Sequence, residues 1–235
     1  MSGSNPPFWA VIPAAGLGTR MVENAVLGCK ELIEIGGKTM LEHTIQELEN
    51  AGFEQIVVVS SPSKPAIDNE LMNRGVKIVH QVEPKGLVDA IKCARDIMGP
   101  GPCLIALPDV LFLGANPSTE LISSFEGETL LAVVQVEAPW GSQLKDTGRV
   151  TEWHENKILG ISDKFPNRDF PMGEYRITGR AIWTEAFWEI EDDDEVSTLR
   201  CLGSLKKLSA CFVKTRYIDV GNLKGYKYAQ SIFNQ

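Results

Sequence analysis

The residues with the clearest chemistry lie near the start of the chain. An apolar run, Val11-Ile12-Pro13-Ala14-Ala15, leads into Gly16-Leu17-Gly18-Thr19-Arg20, and Lys30 follows ten residues after the arginine. A glycine turn leaves backbone N–H groups free and presents no Cβ to hold a phosphate off. Arg20 adds a forked donor and Lys30 a mobile point charge. Together these groups suit the grip on a polyphosphate. They do not form a dinucleotide fingerprint, because Met21 stands where its third glycine belongs, and the GK[ST] ending of a P-loop is missing.

Two acids are placed to work with them. Asp109 follows the apolar run Cys103–Leu107, and Asp219 follows Ala210–Tyr217 just before Gly221. Asp109 alone also suits a helix cap. A carboxylate at the C-terminal end of a parallel strand, however, lies where open α/β sheets bind ligands. Two such oxygen ligands suit Mg²⁺, which keeps several waters and takes phosphate oxygens. The run Glu191-Asp192-Asp193-Asp194-Glu195 reads as a solvated, self-repelling surface. His43, His80 and His154 share no spacing that makes a site. Arg176 and Arg180 read as solvent-facing strand residues, with a phosphate contact as the other option.

The elements that would position these groups alternate. Phe8–Pro13, Ile56–Ser60, Val76–His80 and Cys103–Leu107 are short apolar runs, the signature of buried strands. Between them, Met40, Leu41, Thr44, Ile45 and Leu48, and then Leu87, Ala90, Ile91, Ala94 and Ile97, recur at helical spacing. Strand and helix in alternation predict crossover units on a parallel sheet. After residue 128 the pattern turns strand-rich: 129–136, 149–153, 158–163, 175–183 and 210–217. Helices are expected around Glu185, Thr198 and 222–233. The expected fold is α/β and Rossmann-like, with a mixed, mainly parallel central sheet flanked by helices. Residues 1–7 read as a leader. A single domain follows, with a nucleotide-binding front half over 8–128 and a mixed, strand-rich back half over 129–235.

Composition narrows the partners. The chain has 235 residues, 43% of them hydrophobic and 23% charged, with a formal net charge of −8. That balance excludes broad nucleic-acid binding, which needs a basic face. No apolar run approaches the roughly 20 residues of a membrane span, and the N-terminus has no secretory pattern. Five cysteines without metal-ligand spacing fit reduced thiols and a cytoplasmic setting.

The order of these motifs resembles the sugar-1-phosphate nucleotidyltransferases (nucleotide-sugar pyrophosphorylases), of the glucose-1-phosphate uridylyl/thymidylyltransferase type. The GxGTR turn with its lysine ten residues on is matched by Gly16, Gly18, Thr19, Arg20 and Lys30. Gln81-Val82-Glu83-Pro84-Lys85-Gly86-Leu87, Leu107-Pro108-Asp109, Gly148-Arg149-Val150, Asp163-Lys164, Tyr175 to Gly179 and Ile218-Asp219-Val220-Gly221 follow in family order.

The resemblance implies Mg²⁺-dependent transfer of a nucleotidyl group from a nucleoside triphosphate to a sugar 1-phosphate. Ala14, Ala15, Gly16, Gly18, Thr19 and Arg20 would bind the nucleotide. Gln81 and Gly86 would read the base, which favours UTP or dTTP because an amide suits an imide edge. Gly148, Asp163, Lys164, Tyr175 and Gly179 would hold the sugar phosphate. Arg20, Lys30 and Asp109 would carry catalysis, with Asp109 and Asp219 on the metal. The chain departs from the family at Glu23 and Cys29, where prolines are usual, and at Thr147, where an aromatic residue often stands. Those departures leave two rivals: a catalytically weakened nucleotide-sensing or assembly relative, and transfer to a non-sugar phosphate. Homo-oligomerisation is compatible with any of them.

Overall fold

The computed structural model describes residues 8–16, 29–135, 148–162 and 173–233. Its strands are β1 (Trp9–Pro13), β2 (Glu34–Ile35), β3 (Lys38–Thr39), β4 (Ile56–Ser60), β5 (Lys77–His80), β6 (Cys103–Ala106), β7 (Val110–Gly114), β8 (Thr129–Gln135), β9 (Arg149–His154), β10 (Lys157–Ile161), β11 (Tyr175–Trp183), β12 (Leu208–Phe212) and β13 (Thr215–Asp219). Nine of them form one sheet in the order β5-β4-β1-β6-β11-β8-β12-β10-β9.

The strands β5-β4-β1-β6 are parallel, as the alternation with helices requires. Alternate residues of these strands sort into two cores. Ala10, Ile12 and Val58 pack into one, whereas Val11, Val57 and Val59 pack into the other. Both faces of the sheet are therefore covered. The helix Met40–Asn50 lies on the first face through Leu41, Ile45 and Leu48. Thr39 and Glu42 form a reciprocal capping box at its start.

Antiparallel pairs predominate beyond β6. β11 pairs β6 through Arg180–Trp183 and β9 through Tyr175 and Arg176, and it borders β8 along both stretches. The change falls at Gly179, whose φ of +75° accompanies a register shift against β8. A Cβ there would stand 2.8 Å from Leu107 Cδ1. Because β9 pairs both β10 and β11, the strand-rich end curls back on itself.

Four features differ from the sequence reading. The run 210–217 divides into β12 and β13, which belong to different sheets. The helical stripe from Leu87 to Ile97 is two helices, Leu87–Lys92 and Arg95–Met98. A β2–β3 hairpin turns on Gly36 and Gly37, both with positive φ. Finally, Asp109 is followed by the strand β7, not a helix, so its reading as a helix cap falls. β7 pairs antiparallel with β13, and a small third core beneath them joins Leu111, Ile218 and Val220 to Ile33, Ile35 and Met40.

Candidate active site

The parallel strands deliver their C-terminal ends to one edge. Ala14 follows β1 and donates its N–H to Val59 O at 2.8 Å, and Gln81 follows β5 and donates to Ser60 O at 2.9 Å. Leu107-Pro108-Asp109 follows β6. Ala14 and Ala15 are buried, but Gly16 is exposed, with nothing within 4 Å of where its Cβ would be. Backbone there is open to a ligand. Gly18, Thr19 and Arg20 lie outside the described residues, as does Glu23.

Lys30 and the two aspartates meet at this edge. Lys30 Nζ stands 2.7 Å from Asp109 Oδ2 in a mostly buried pair. Asp219 is brought alongside by the β7–β13 ladder, where it pairs Val110, and by Val220 N–H donating to Asp109 O at 2.8 Å. A Cβ on Gly221 would lie 3.0 Å from Asp109 Oδ2 and 3.1 Å from Asp219 Oδ1, so both carboxylates border the same point. Gly221 N–H donates to Asp219 Oδ1 at 2.9 Å. Asn222 Nδ2 holds Asp219 O at 3.1 Å, and a Cβ on Gly225 would fall only 1.7 Å from that carbonyl oxygen. The turn after β13 tolerates no side chain at that position.

Beneath the acids sit two buried arginines, which corrects the expectation that Arg176 and Arg180 face solvent. Both are 0% exposed. A bulged strand bordered on both sides points these side chains into the molecule. Arg180 forks onto Glu47, with Nε to Oε1 at 2.9 Å and Nη2 to Oε2 at 2.8 Å. Its Nη1 also donates to Leu107 O at 2.7 Å, so the fork steadies the peptide leading to Asp109. Arg176 donates to Tyr217 OH at 3.0 Å and lies over that ring at 4.0 Å. Burial lowers its pKa, and Tyr217, Asp219 and Asp109 offset only part of that lowering. The arginine is thus a buried positive charge serving the acid pair from below.

A second buried cluster ties Lys30 to the glycine turn. Glu31 is fully buried and accepts from Lys64 Nζ at 2.9 Å and from Cys29 Sγ at 3.0 Å. Lys64 Nζ also donates to Ala14 O at 2.9 Å. One ammonium therefore bridges the segment carrying Lys30 and the end of β1. Burial first, then the bond to Glu31, pushes the Cys29 thiol up to about 11. Cys29 has φ −142°, a value outside proline's range, so this backbone is held by a side-chain bond in place of a ring.

Gln81 is 4% exposed and sits beside Gly86, to whose carbonyl its Nε2 donates at 3.2 Å. On the strand-rich side, Gly148 packs against Ile177 and Ile161, and its carbonyl accepts from Ile177 N. Tyr175 contacts Trp153 and Phe212 edge-on. Gly179 lies against Leu107 and accepts from its N–H at 2.9 Å, close to Asp109 in sequence. Asp163 and Lys164 fall outside the described residues.

Residues 10–155 match the family model described as a MobA-like NTP transferase domain. The chain belongs to that family.

Similar proteins include the UTP–glucose-1-phosphate uridylyltransferase of Bacillus subtilis, 25% identical over 92% of this chain and 87% of that one. The enzyme of the same name from Escherichia coli K12 is 26% identical over 94% and 88%. A solved UDP-glucose pyrophosphorylase complexed with UDP-glucose superimposes with a TM-score of 0.80, covering 97% of this chain and 98% of that one at 22% identity. The UTP-bound enzyme of Acinetobacter baumannii gives 0.76 at 22% identity, over 96% and 93%. At such identity the two structures establish the shared fold, the α/β class expected from the alternating elements.

The donor set of this NTP transferase fits a hard divalent ion. Among the described residues no group of three or more His, Cys, Asp or Glu is placed to hold a metal. Two carboxylates bordering one point are the set that Mg²⁺ uses when substrate phosphates complete its shell. Among the described residues no helix is long and apolar enough to cross a membrane.

Sequence reasoning missed Glu31, Glu47, Lys64 and Tyr217. Glu31 gave no signal of its own, because the burial that demands a partner shows only in the fold. Its partner, 33 positions away, left none either.

Proposed function

We propose that this transferase moves a uridylyl or thymidylyl group from UTP or dTTP to a sugar 1-phosphate and releases pyrophosphate. The observation that carries the reading is the meeting of Lys30, Asp109 and Asp219 at the strand edge where the glycine turn begins. The names of the similar uridylyltransferases support the same substrates. Glucose 1-phosphate is the first acceptor to try.

In this reading an oxygen of the sugar phosphate attacks the α-phosphorus in line, and the bond to the departing pyrophosphate breaks. The nucleophile is already an anion, so little proton transfer is needed. Catalysis rests on positioning and charge neutralisation. Lys30 contacts the α-phosphate and the attacking oxygen, Arg20 the triphosphate, and Lys164 the incoming phosphate. Asp109 and Asp219 hold Mg²⁺, which when bound neutralises phosphate charge. Arg176 and the Arg180–Glu47 fork keep the acids in place.

The test is pyrophosphate release from the four ribonucleotides and dTTP, each against several sugar 1-phosphates, with and without Mg²⁺. Turnover with a uracil or thymine nucleotide and a sugar 1-phosphate is expected. Tight nucleotide binding without any release would favour the sensing relative, and turnover only with a non-sugar phosphate would replace the acceptor.

A further inference from the structure

Asp89 lies in the first turn of the helix Leu87–Lys92, three residues after Gly86. Gly86 has φ +101°, a conformation that a side chain would strain, and it turns its carbonyl back towards Gln81. The Gln81 amide is held between the two. Its Nε2 donates to Asp89 Oδ2 at 2.6 Å and to Gly86 O at 3.2 Å. A carbonyl and a carboxylate both accept, so the nitrogen, not the oxygen, must face them. The chemistry of the partners settles which way the amide points. Both N–H groups are used, and Oε1 is left as an acceptor that no donor among the described residues engages.

An acceptor held in one orientation discriminates between pyrimidines. Uracil and thymine carry a hydrogen on N3 and can donate to it. Cytosine N3 carries a lone pair and meets Oε1 acceptor to acceptor. Were the amide turned over, its NH₂ group would suit cytosine instead. A site built around one required hydrogen bond rejects the analogue lacking it more strongly than a difference in size would allow.

We propose that Asp89 is a specificity-determining positioning residue: it locks the Gln81 amide so that only its oxygen faces the base, and it thereby selects uracil or thymine over cytosine. The inference rests on the assignment of Gln81 to the base in the proposed function.

The experiment compares kcat/KM for UTP and CTP with one sugar 1-phosphate, in the wild type and in Asp89→Ala, alongside calorimetric binding of both nucleotides. The wild type is expected to favour UTP by about 100-fold or more. Loss of the charged partner should reduce that ratio at least about 10-fold, chiefly through better use of CTP. A merely structural role would weaken both nucleotides together and leave the ratio unchanged, which would overturn the proposal. N3-methyl-UTP gives a readout that needs no variant, and the wild type should bind it at least about 10-fold more weakly than UTP. Equal binding of UTP and N3-methyl-UTP would also overturn it. A wild type that binds UTP over CTP yet releases no pyrophosphate would defeat the transfer reading and leave the role of Asp89 standing.

Discussion

Lys30 Nζ and Asp109 Oδ2, 79 positions apart in the chain, stand 2.7 Å from each other at the end of β6. The pair joins a cation suited to phosphate with an acid suited to Mg²⁺. Asp109 also borders Asp219, and like charges that close oppose each other. Asp109→Asn removes a charge that Lys30 and the metal would both use, so turnover should fall about 10²-fold or more. Steady-state rates across a Mg²⁺ titration decide it. Equal rates for variant and wild type would remove Asp109 from the mechanism.

The Glu31–Lys64 pair is tested through stability. Glu31 is fully buried, and among the described residues its Oε1 has no hydrogen-bond partner, so the charge depends on Lys64. Lys64→Met should cost about 3–5 kcal/mol in urea unfolding, because it strands a buried carboxylate. The double variant Glu31→Leu/Lys64→Met should recover most of that loss. Its turnover should stay low, because Ala14 O and the Lys30 segment lose their common tie. Full activity in the stable double variant would reduce the cluster to a packing feature.

Cys29 provides a pH test. Its thiol is raised from about 9 to about 11, so at pH 8 only about a thousandth is thiolate. Iodoacetamide at pH 8 should label exposed Cys201 well before Cys29, with Cys29 labelling rising towards pH 11. The folded form keeps its proton where the unfolded form loses it. Stability from this group is therefore complete below pH 9 and declines as pH rises from 9 to 11. Cys29→Ser should flatten that part of the decline, measured by urea midpoints across the range. Rapid labelling of Cys29 at pH 8 in the folded protein would contradict the burial.

Much of this organisation was legible because it is local. The glycine turn after β1, the continuous burial of β4 and the carboxylate following β6 each follow from a few adjacent residues. What escaped depends on long-range pairing. β7 (Val110–Gly114) escaped because Asp109 as a helix cap points to a helix after it, and only the ladder with β13 makes the segment a strand. Arg176 and Arg180 looked exposed because strand alternation assigns faces from neighbours in sequence. β11 changes partners at Gly179, and Glu47, 133 positions from Arg180, supplies the charge that lets the guanidinium be buried. Asp109 and Asp219 were separately visible as strand-end acids, but their adjacency belongs to the β7–β13 ladder.

Gly221 tests that adjacency directly. Its backbone φ lies outside the left-handed region, so alanine brings no torsional strain, but the new methyl would enter between the acids at 3.0 and 3.1 Å from their oxygens. Contacts that tight require the carboxylates to move by a few tenths of an ångström, and they are the side chains least able to do so without changing the site. Gly221→Ala should consequently lose about 10-fold or more in turnover, since small displacements of catalytic groups are costly. Its urea stability should fall by no more than about 1–2 kcal/mol. Weaker Mn²⁺ binding in paramagnetic resonance titrations, with the nucleotide present, should accompany the loss. Wild-type turnover and Mn²⁺ affinity in this variant would show that the two acids do not act as a pair.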